Sequence, residues 1–332
     1  ETPALKATYQ DLRVKHGFRV SDEEPYKVDS DAASPRVCVQ FTEALARGKV
    51  DFAPYIAVSG AVSPAVTAEE RQICIDGLKH GERYTVMVRQ GLPSDVGEQL
   101  LKTQSYDIYV RDRSPQVRFP GKTYVLPRVG QEGIPVLSVN AAKVYINVAR
   151  IGDRSLLPTV RSESFLNQLD GEAIKKIMTQ TGFKVWSGSM DAKIEQNRDV
   201  VTAFPVLEAV GKLEPGIYVM TASASAPAAP TGDGEEGESD YDTKMTQWFV
   251  VSDLGLTALS GREGITVFAR SLASAKPLGG LDLRLVARNN EILATVKTDS
   301  NGRAMFDPGL ARGEGGLAPG VLVATNAEGD YN

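Results

Sequence analysis

The stretch Leu78-Lys79-His80-Gly81-Glu82-Arg83-Tyr84-Thr85-Val86 decides the fold class, because its outline occurs three times in the chain. It returns as Leu213-Glu214-Pro215-Gly216-Ile217-Tyr218-Val219-Met220, and again as Leu317-Ala318-Pro319-Gly320-Val321-Leu322-Val323. Each copy is a leucine, two residues, a glycine, and then a run with the two-residue period of a strand. In β-sandwiches such a corner leads into a late strand, where a tyrosine hydroxyl can tie the turn back to the backbone. Copies spaced by roughly a hundred residues predict three tandem sandwiches.

The rest of the chain alternates in the same way. Tyr84–Val88, Ser105–Val110, Lys143–Val148, Trp248–Val251, Ile265–Ala269, Leu281–Val286 and Ile292–Val296 all read as short strands bounded by turn residues. Gly 31 and Pro 18 supply the turns, and 42% apolar against 24% charged residues excludes wholesale disorder. One segment differs. From Glu163 to Thr181, Phe165, Leu166, Leu169, Ile174, Ile177 and Met178 follow helical spacing around Asp170-Gly171. That predicts one interrupted helix or two short ones, opened by Ser162 or Ser164.

The expected fold is therefore mainly β: three immunoglobulin- or fibronectin-like sandwiches over 1–112, 113–250 and 251–332, the middle one carrying a helical insertion at 163–181. The first boundary falls at the charged linker Arg111-Asp-Arg113-Ser-Pro115, and the last strand of the third sandwich is expected to be cut short. Residues 221–243 are low-complexity and then acidic, and read as a mobile hairpin connection. Asp233, Glu235, Glu236, Glu238, Asp240 and Asp242 account for more than the whole net charge of −5. The remaining chain is nearly neutral, which gives no support to nucleic-acid binding. No apolar run is long enough to span a membrane. The start at Glu1, without Met or a signal-like segment, reads as a mature or excised piece.

Both cysteines sit in alternating strands, Arg36-Val-Cys38-Val-Gln-Phe41 and Gln72-Ile-Cys74-Ile-Asp76. The valines, isoleucines and Phe41 face a core, leaving Cys38 and Cys74 on the more polar faces. If the strands are antiparallel neighbours the sulfurs meet in a disulfide; otherwise they are two small reduced thiols. A disulfide closing about 37 residues stabilises by roughly 3–4 kcal/mol and implies an oxidising compartment.

The motifs that invite a catalytic reading lose to simpler ones. Gly232-Asp-Gly234-Glu-Glu-Gly237 matches the dinucleotide pattern, but no helix follows and its acids would repel a pyrophosphate. Gly121-Lys122-Thr123 reads as a turn. His16 and His80 have no partner at metal or triad spacing. Asp299-Ser-Asn301-Gly302 starts like a calcium loop, but Arg303 stands where a ligand belongs, so a hairpin turn between Ile292–Val296 and Arg303–Phe306 is expected. Asn289-Asn290 suits a turn with positive φ, and Trp186 and Trp248 read as core anchors. No catalytic, metal or cofactor residue is assigned.

Trp248-Phe-Val-Val-Ser-Asp-Leu-Gly-Leu-Thr257, Val267-Phe-Ala-Arg-Ser-Leu272, Lys276-Pro-Leu-Gly-Gly280 and Thr298-Asp-Ser-Asn-Gly-Arg-Ala304 together resemble bacterial alpha-2-macroglobulins. Pro115-Gln-Val-Arg-Phe119, Tyr124-Val-Leu-Pro-Arg128, Val185-Trp-Ser-Gly188 and Asn197–Pro205 resemble the preceding macroglobulin-like domain, and the two cysteine strands the one before it. The resemblance implies a periplasmic envelope protein, commonly a lipoprotein anchored to the inner membrane outside this segment. Such proteins inhibit endopeptidases: a protease cuts a bait segment, the domains rearrange, and the protease is enclosed. Many members add an internal thioester in Cys-x-Glu-Gln, which neither Cys38 nor Cys74 matches. The resemblance thus implies a non-enzymatic scaffold without bait region or thioester, with proteases as partners of the full-length protein. A peptidoglycan-synthesising penicillin-binding protein is a further partner by family analogy. The competing readings are the immunoglobulin-like stalk of a surface adhesin or receptor, and an enzyme with an unrecognised site.

Overall fold

Alternation builds the first sandwich. Its strands are β1 (Tyr26–Asp29), β2 (Arg36–Gln40), β3 (Ile56–Ser59), β4 (Ala65–Glu69), β5 (Gln72–Asp76), β6 (Glu82–Val88) and β7 (Gln104–Val110). They form a four-stranded sheet in the order β1-β2-β5-β4 and a three-stranded sheet in the order β3-β6-β7. This is the four-plus-three division of an immunoglobulin-like sandwich. Val37, Val39, Ile73 and Ile75 point inward against Val86, Val88, Ile108 and Val110, all sealed from solvent. The structure, a computed structural model, describes residues 16–60, 64–121, 123–126, 133–211, 213–226 and 244–327, with Leu5, Thr8, Tyr9 and Leu12. Lys122 and the acidic segment from 227 to 243, including Gly232-Asp-Gly234-Glu-Glu-Gly237, lie outside the described residues.

The second sandwich comprises β8 (Gln116–Arg118), β9 (Thr123–Leu126), β10 (Ile134–Val139), β11 (Lys143–Ile151), β12 (Gly182–Asp191), β13 (Val200–Phe204), β14 (Gly216–Ser223) and β15 (Met245–Val251). One sheet runs β13-β10-β8; the other runs β12-β11-β14-β15-β9, its last pair parallel. Between β11 and β12 the chain forms α1 (Leu156–Val160), α2 (Gly171–Lys176) and a π-helical turn over Ile177–Thr181. The helical insertion therefore begins before 163, and residues 161–167 are mainly turn rather than helix. Leu166 takes the left-handed conformation, φ 62°, which breaks any helix through it. The cap is Asp170, not Ser162 or Ser164: its carboxylate accepts from the Ala173 amide at 2.8 Å. The Ser162 hydroxyl instead donates to the Thr159 carbonyl. Residues 221–223, expected in the mobile connection, belong to β14, because all three pair with β11, 221 and 222 also pair with β15, and all are buried.

The third sandwich holds β16 (Leu254–Gly261), β17 (Gly264–Ser271), β18 (Asp282–Ala287), β19 (Ile292–Lys297), β20 (Arg303–Phe306) and β21 (Pro319–Thr325). Its sheets run β16-β17-β20 and β19-β18-β21. The expected hairpin between β19 and β20 is instead an arch, since the two strands belong to opposite sheets. Asp299 shapes it by accepting from the amides of Asn301 and Arg303. Gly302, at φ 72°, has no room for a side chain, because a Cβ would lie 2.3 Å from the Ala269 carbonyl oxygen. Asn290 takes positive φ, 72°, in the turn joining β18 to β19.

The three corner motifs are not equivalent. Leu78 and Leu213 are buried, and each tyrosine closes its corner: the Lys79 amide donates to the Tyr84 hydroxyl at 2.9 Å, and the Tyr218 hydroxyl donates to the Glu214 carbonyl at 2.7 Å. Leu317 is half exposed, and the positions matching the two tyrosines hold Leu322 and Val323, which have no hydroxyl to offer. The chain divides into two compact units. One comprises residues 1–114 with 195–199; the other comprises 115–194 with 200–332 and contains both later sandwiches.

Candidate functional site

Strand β14 has no polar face. Of Gly216-Ile-Tyr-Val-Met-Thr-Ala-Ser223 every residue but Ile217 is buried, so both faces need cover. Tyr218, Met220 and Ala222 enter the sandwich core with Phe249 and Val251 of β15. Val219 and Trp248 point the other way, where Leu169, Ile174 and Ile177 of the insertion cover them. A register shift between Val148 and Ala149 turns β11 to the same purpose: Val148 faces the inner core, while Ala149 and Ile151 join the outer one. Each large apolar side chain sealed here contributes about 1.5–3 kcal/mol relative to exposure, before its ordering entropy is counted.

Hydrogen bonds fix the insertion along β15. The Gln168 carboxamide donates to the Lys244 carbonyl at 2.8 Å and accepts from the Thr246 amide at 3.0 Å. The Leu169 amide donates to the Thr246 hydroxyl, and the indole N–H of Trp248 donates to the Asn167 carbonyl at 3.0 Å. Phe165 meets the Trp248 ring edge-on at 5.1 Å. The charges of α2 suit its dipole, with Glu172 in the first turn and Lys175 and Lys176 in the last. Arg150 secures the opposite end. Its buried guanidinium donates to the Pro215 carbonyl, pairs with Asp153 at 2.9 Å and lies 6.0 Å from the Phe183 ring centre. Burial pushes the neighbouring Tyr218 phenol upward in pKa, so it remains a neutral donor. Arg161 then reaches Asn290 in the third sandwich at 2.8 Å.

In the first unit, Cys38 and Cys74 stand directly opposite across β2 and β5 and are joined by a disulfide. It lies within one sheet, on the outer face beside Lys27 and Thr67. Cys74 is fully buried even so. Arg36 spans the same face, pairing with Glu69 at 2.9 Å and Asp76 at 3.3 Å. Of the two histidines, His16 is exposed, whereas His80 directs Nε2 at the carbonyls of Ser30 and Ala32, both at 3.1 Å, as a donor. Trp248 is a core anchor, while Trp186 is only partly buried against the core and folds over Gly188.

A polar cluster that the residues alone did not reveal centres on Asp31. Its carboxylate pairs with Arg111 and accepts from the Ser114 amide at 2.7 Å. These bonds hold its pKa down to about 2. The backbone carbonyl of Asp31 accepts from Nε of Arg113, a buried side chain that also binds Asp199 at 2.9 Å. The available signal was the charge density of Arg111-Asp-Arg113, which shows charge without showing its partners. Among the described residues no group of three or more His, Cys, Asp or Glu could hold a metal ion, and no helix is long and apolar enough to cross a membrane.

Residues 118–226 match the family model "Bacterial alpha-2 macroglobulin MG2 domain", and residues 251–332 match "Bacterial alpha-2-macroglobulin MG3 domain". Together these cover more than half of the chain. The chain belongs to the bacterial alpha-2-macroglobulin family. Alpha-2-macroglobulin of Xylella fastidiosa (strain 9a5c) is 26% identical over 251 residues, which is 74% of this chain and 14% of that protein. That of Escherichia coli (strain K12) is 23% identical over 200 residues, 60% of this chain and 11% of that protein. The chain thus spans between about one ninth and one seventh of the length of these curated relatives. Among solved structures, a point mutant of Salmonella alpha-2-macroglobulin superposes with TM-score 0.59 at 18% identity, over 96% of this chain and 18% of that one. An Escherichia coli alpha-2-macroglobulin crystal structure spanning domains MG0-NIE-MG1 superposes with TM-score 0.50 at 18% identity, over 97% of both chains. The likeness bears on fold: a string of macroglobulin-like sandwiches.

Proposed function

We propose that this chain is a scaffold segment of a longer, envelope-located alpha-2-macroglobulin that encloses proteases after they cut a bait segment elsewhere in the protein. The observation that carries this reading is the pair of adjacent macroglobulin-domain matches over 118–226 and 251–332, in a chain spanning between about one ninth and one seventh of these relatives. The architecture suits a strut. Each sandwich closes its own core, in which the buried side chains pack against one another. The insertion adds stiffness by sealing the outer face of the five-stranded sheet and reaching the third sandwich through Arg161 and Asn290. The disulfide suits an oxidising compartment such as the periplasm. Anchoring to the inner membrane and association with a penicillin-binding protein belong to the full-length protein in this reading.

The test uses the full-length protein encoded by the parent gene. After digestion with an endopeptidase, the trapped enzyme should still hydrolyse a small chromogenic peptide while losing activity on a folded protein substrate. Equal activity on both substrates, with and without the full-length protein, contradicts the proposal.

A further inference from the structure

One end of the outer face of the β19-β18-β21 sheet is apolar, the other end carrying Thr295, Thr325 and the Asp282–Lys297 ion pair. On β18, Leu283 and Leu285 enter the core, so Arg284 and Val286 point outward. The register places Val323 beside Arg284, and Val321 and Ile292 beside Val286. Facing them within the same compact unit are Leu157 and Val160 of α1, Phe165, and Ile217 of β14. A cleft of about 470 Å³ lies between the two surfaces, within the range of small-molecule sites.

Among the described residues one charge in this lining, Arg284, has no counter-ion. Asp153 lines the cleft too, but its carboxylate is taken by Arg150, and Asn290 is held by Arg161. Among the described residues Arg284 has no ion pair or hydrogen bond through its guanidinium. A planar cation beside an apolar wall selects a ligand with two matching parts. Because Arg284 is exposed, a neutral apolar ligand gains nothing from its guanidinium, whereas a carboxylate accepts two of its N–H groups side by side. We propose that this cleft binds a single-chain amphiphile with a carboxylate head, its alkyl chain among Leu157, Val160, Phe165, Ile217 and Val286 and its carboxylate on Arg284. This site does not depend on the scaffold reading and would operate in the chain by itself.

Isothermal titration of the whole chain with decanoate, kept below its micelle concentration, tests the proposal, with 1-decanol as the uncharged comparison. The wild-type chain should take up one decanoate. Arg284→Gln, a change at an exposed position, should weaken decanoate at least about tenfold while leaving 1-decanol within about twofold. Leu157→Trp should fill the cleft and abolish both, with circular dichroism confirming that the fold is kept. No uptake of decanoate by the wild-type chain overturns the site. Unchanged uptake by Leu157→Trp places the ligand elsewhere and does the same, and equal affinity in Arg284→Gln overturns the carboxylate assignment.

Discussion

Trp248 donates its indole N–H to the carbonyl of Asn167 at 3.0 Å, tying the middle of β15 to a turn eighty-one residues earlier in the chain. The same ring is 1% exposed and meets Phe165 edge-on, so a single side chain joins sheet and insertion by area, ring contact and hydrogen bond. Trp248→Phe removes the donor to the Asn167 carbonyl and opens a cavity. The expected cost is about 2–4 kcal/mol, measured as a lowered urea midpoint. An unchanged midpoint would mean that the insertion is not held through β15.

The corner motifs make a graded prediction. Leu78 and Leu213 are buried at 5% and 7% exposure, whereas Leu317 is 51% exposed. Replacement by alanine should therefore cost about 2–5 kcal/mol at the first two positions and within about 0.5 kcal/mol of nothing at the third. Thermal unfolding of the three variants checks the ordering.

Reduction of the Cys38–Cys74 bond should destabilise the first sandwich by roughly 3–4 kcal/mol, because the closed loop spans a sequence separation of 36. The second and third sandwiches, which contain no cysteine, should not respond. Thiol titration of the unfolded, unreduced chain should find no reactive group, and hydrogen exchange with and without reductant should localise the change to residues 18–110.

Asp31 gives the first unit an acid-sensitive contribution. Its folded pKa is depressed to about 2, chiefly by the Arg111 hydrogen bond and then by the Ser114 amide, against about 3.9 in an unfolded chain. A depressed carboxylate contributes stability above its unfolded value and loses it as pH falls through the folded one, so the loss spans about pH 4 to 2. The pair is largely exposed, which limits the effect to about 1 kcal/mol or less. Asp31→Asn should flatten that part of the stability profile and leave its shape above pH 5 unchanged.

The parts of the fold that follow from period and turn chemistry were legible in the residues: the alternating strands, the opposition of Cys38 and Cys74, and two of the three corners. What was not legible depends on partners distant in the chain. β14 and β15 alternate no more clearly than strands with one wet face, and only the packed structure shows that Val219 and Trp248 need the insertion as a lid. Helical spacing over 163–181 marked the lid but misplaced its start, since Leu156–Val160 contains Pro158 and the β-branched Thr159 and Val160 and carries no strong period of its own. Asp299-Ser-Asn-Gly302 announced a turn correctly, but local sequence does not say whether a turn closes a hairpin or crosses between sheets. The Asp31 cluster was invisible for the same reason, because its members lie about eighty residues apart.

In the proposed reading this chain is structural, and any reactive machinery lies elsewhere in the full-length protein. The most direct measurement titrates the isolated chain into an active endopeptidase and follows hydrolysis of a small peptide and of a folded protein substrate together. Neither rate should change at any ratio of chain to enzyme. A stoichiometric loss of activity on the protein substrate alone would show that the chain traps proteases unaided, and would contradict that reading.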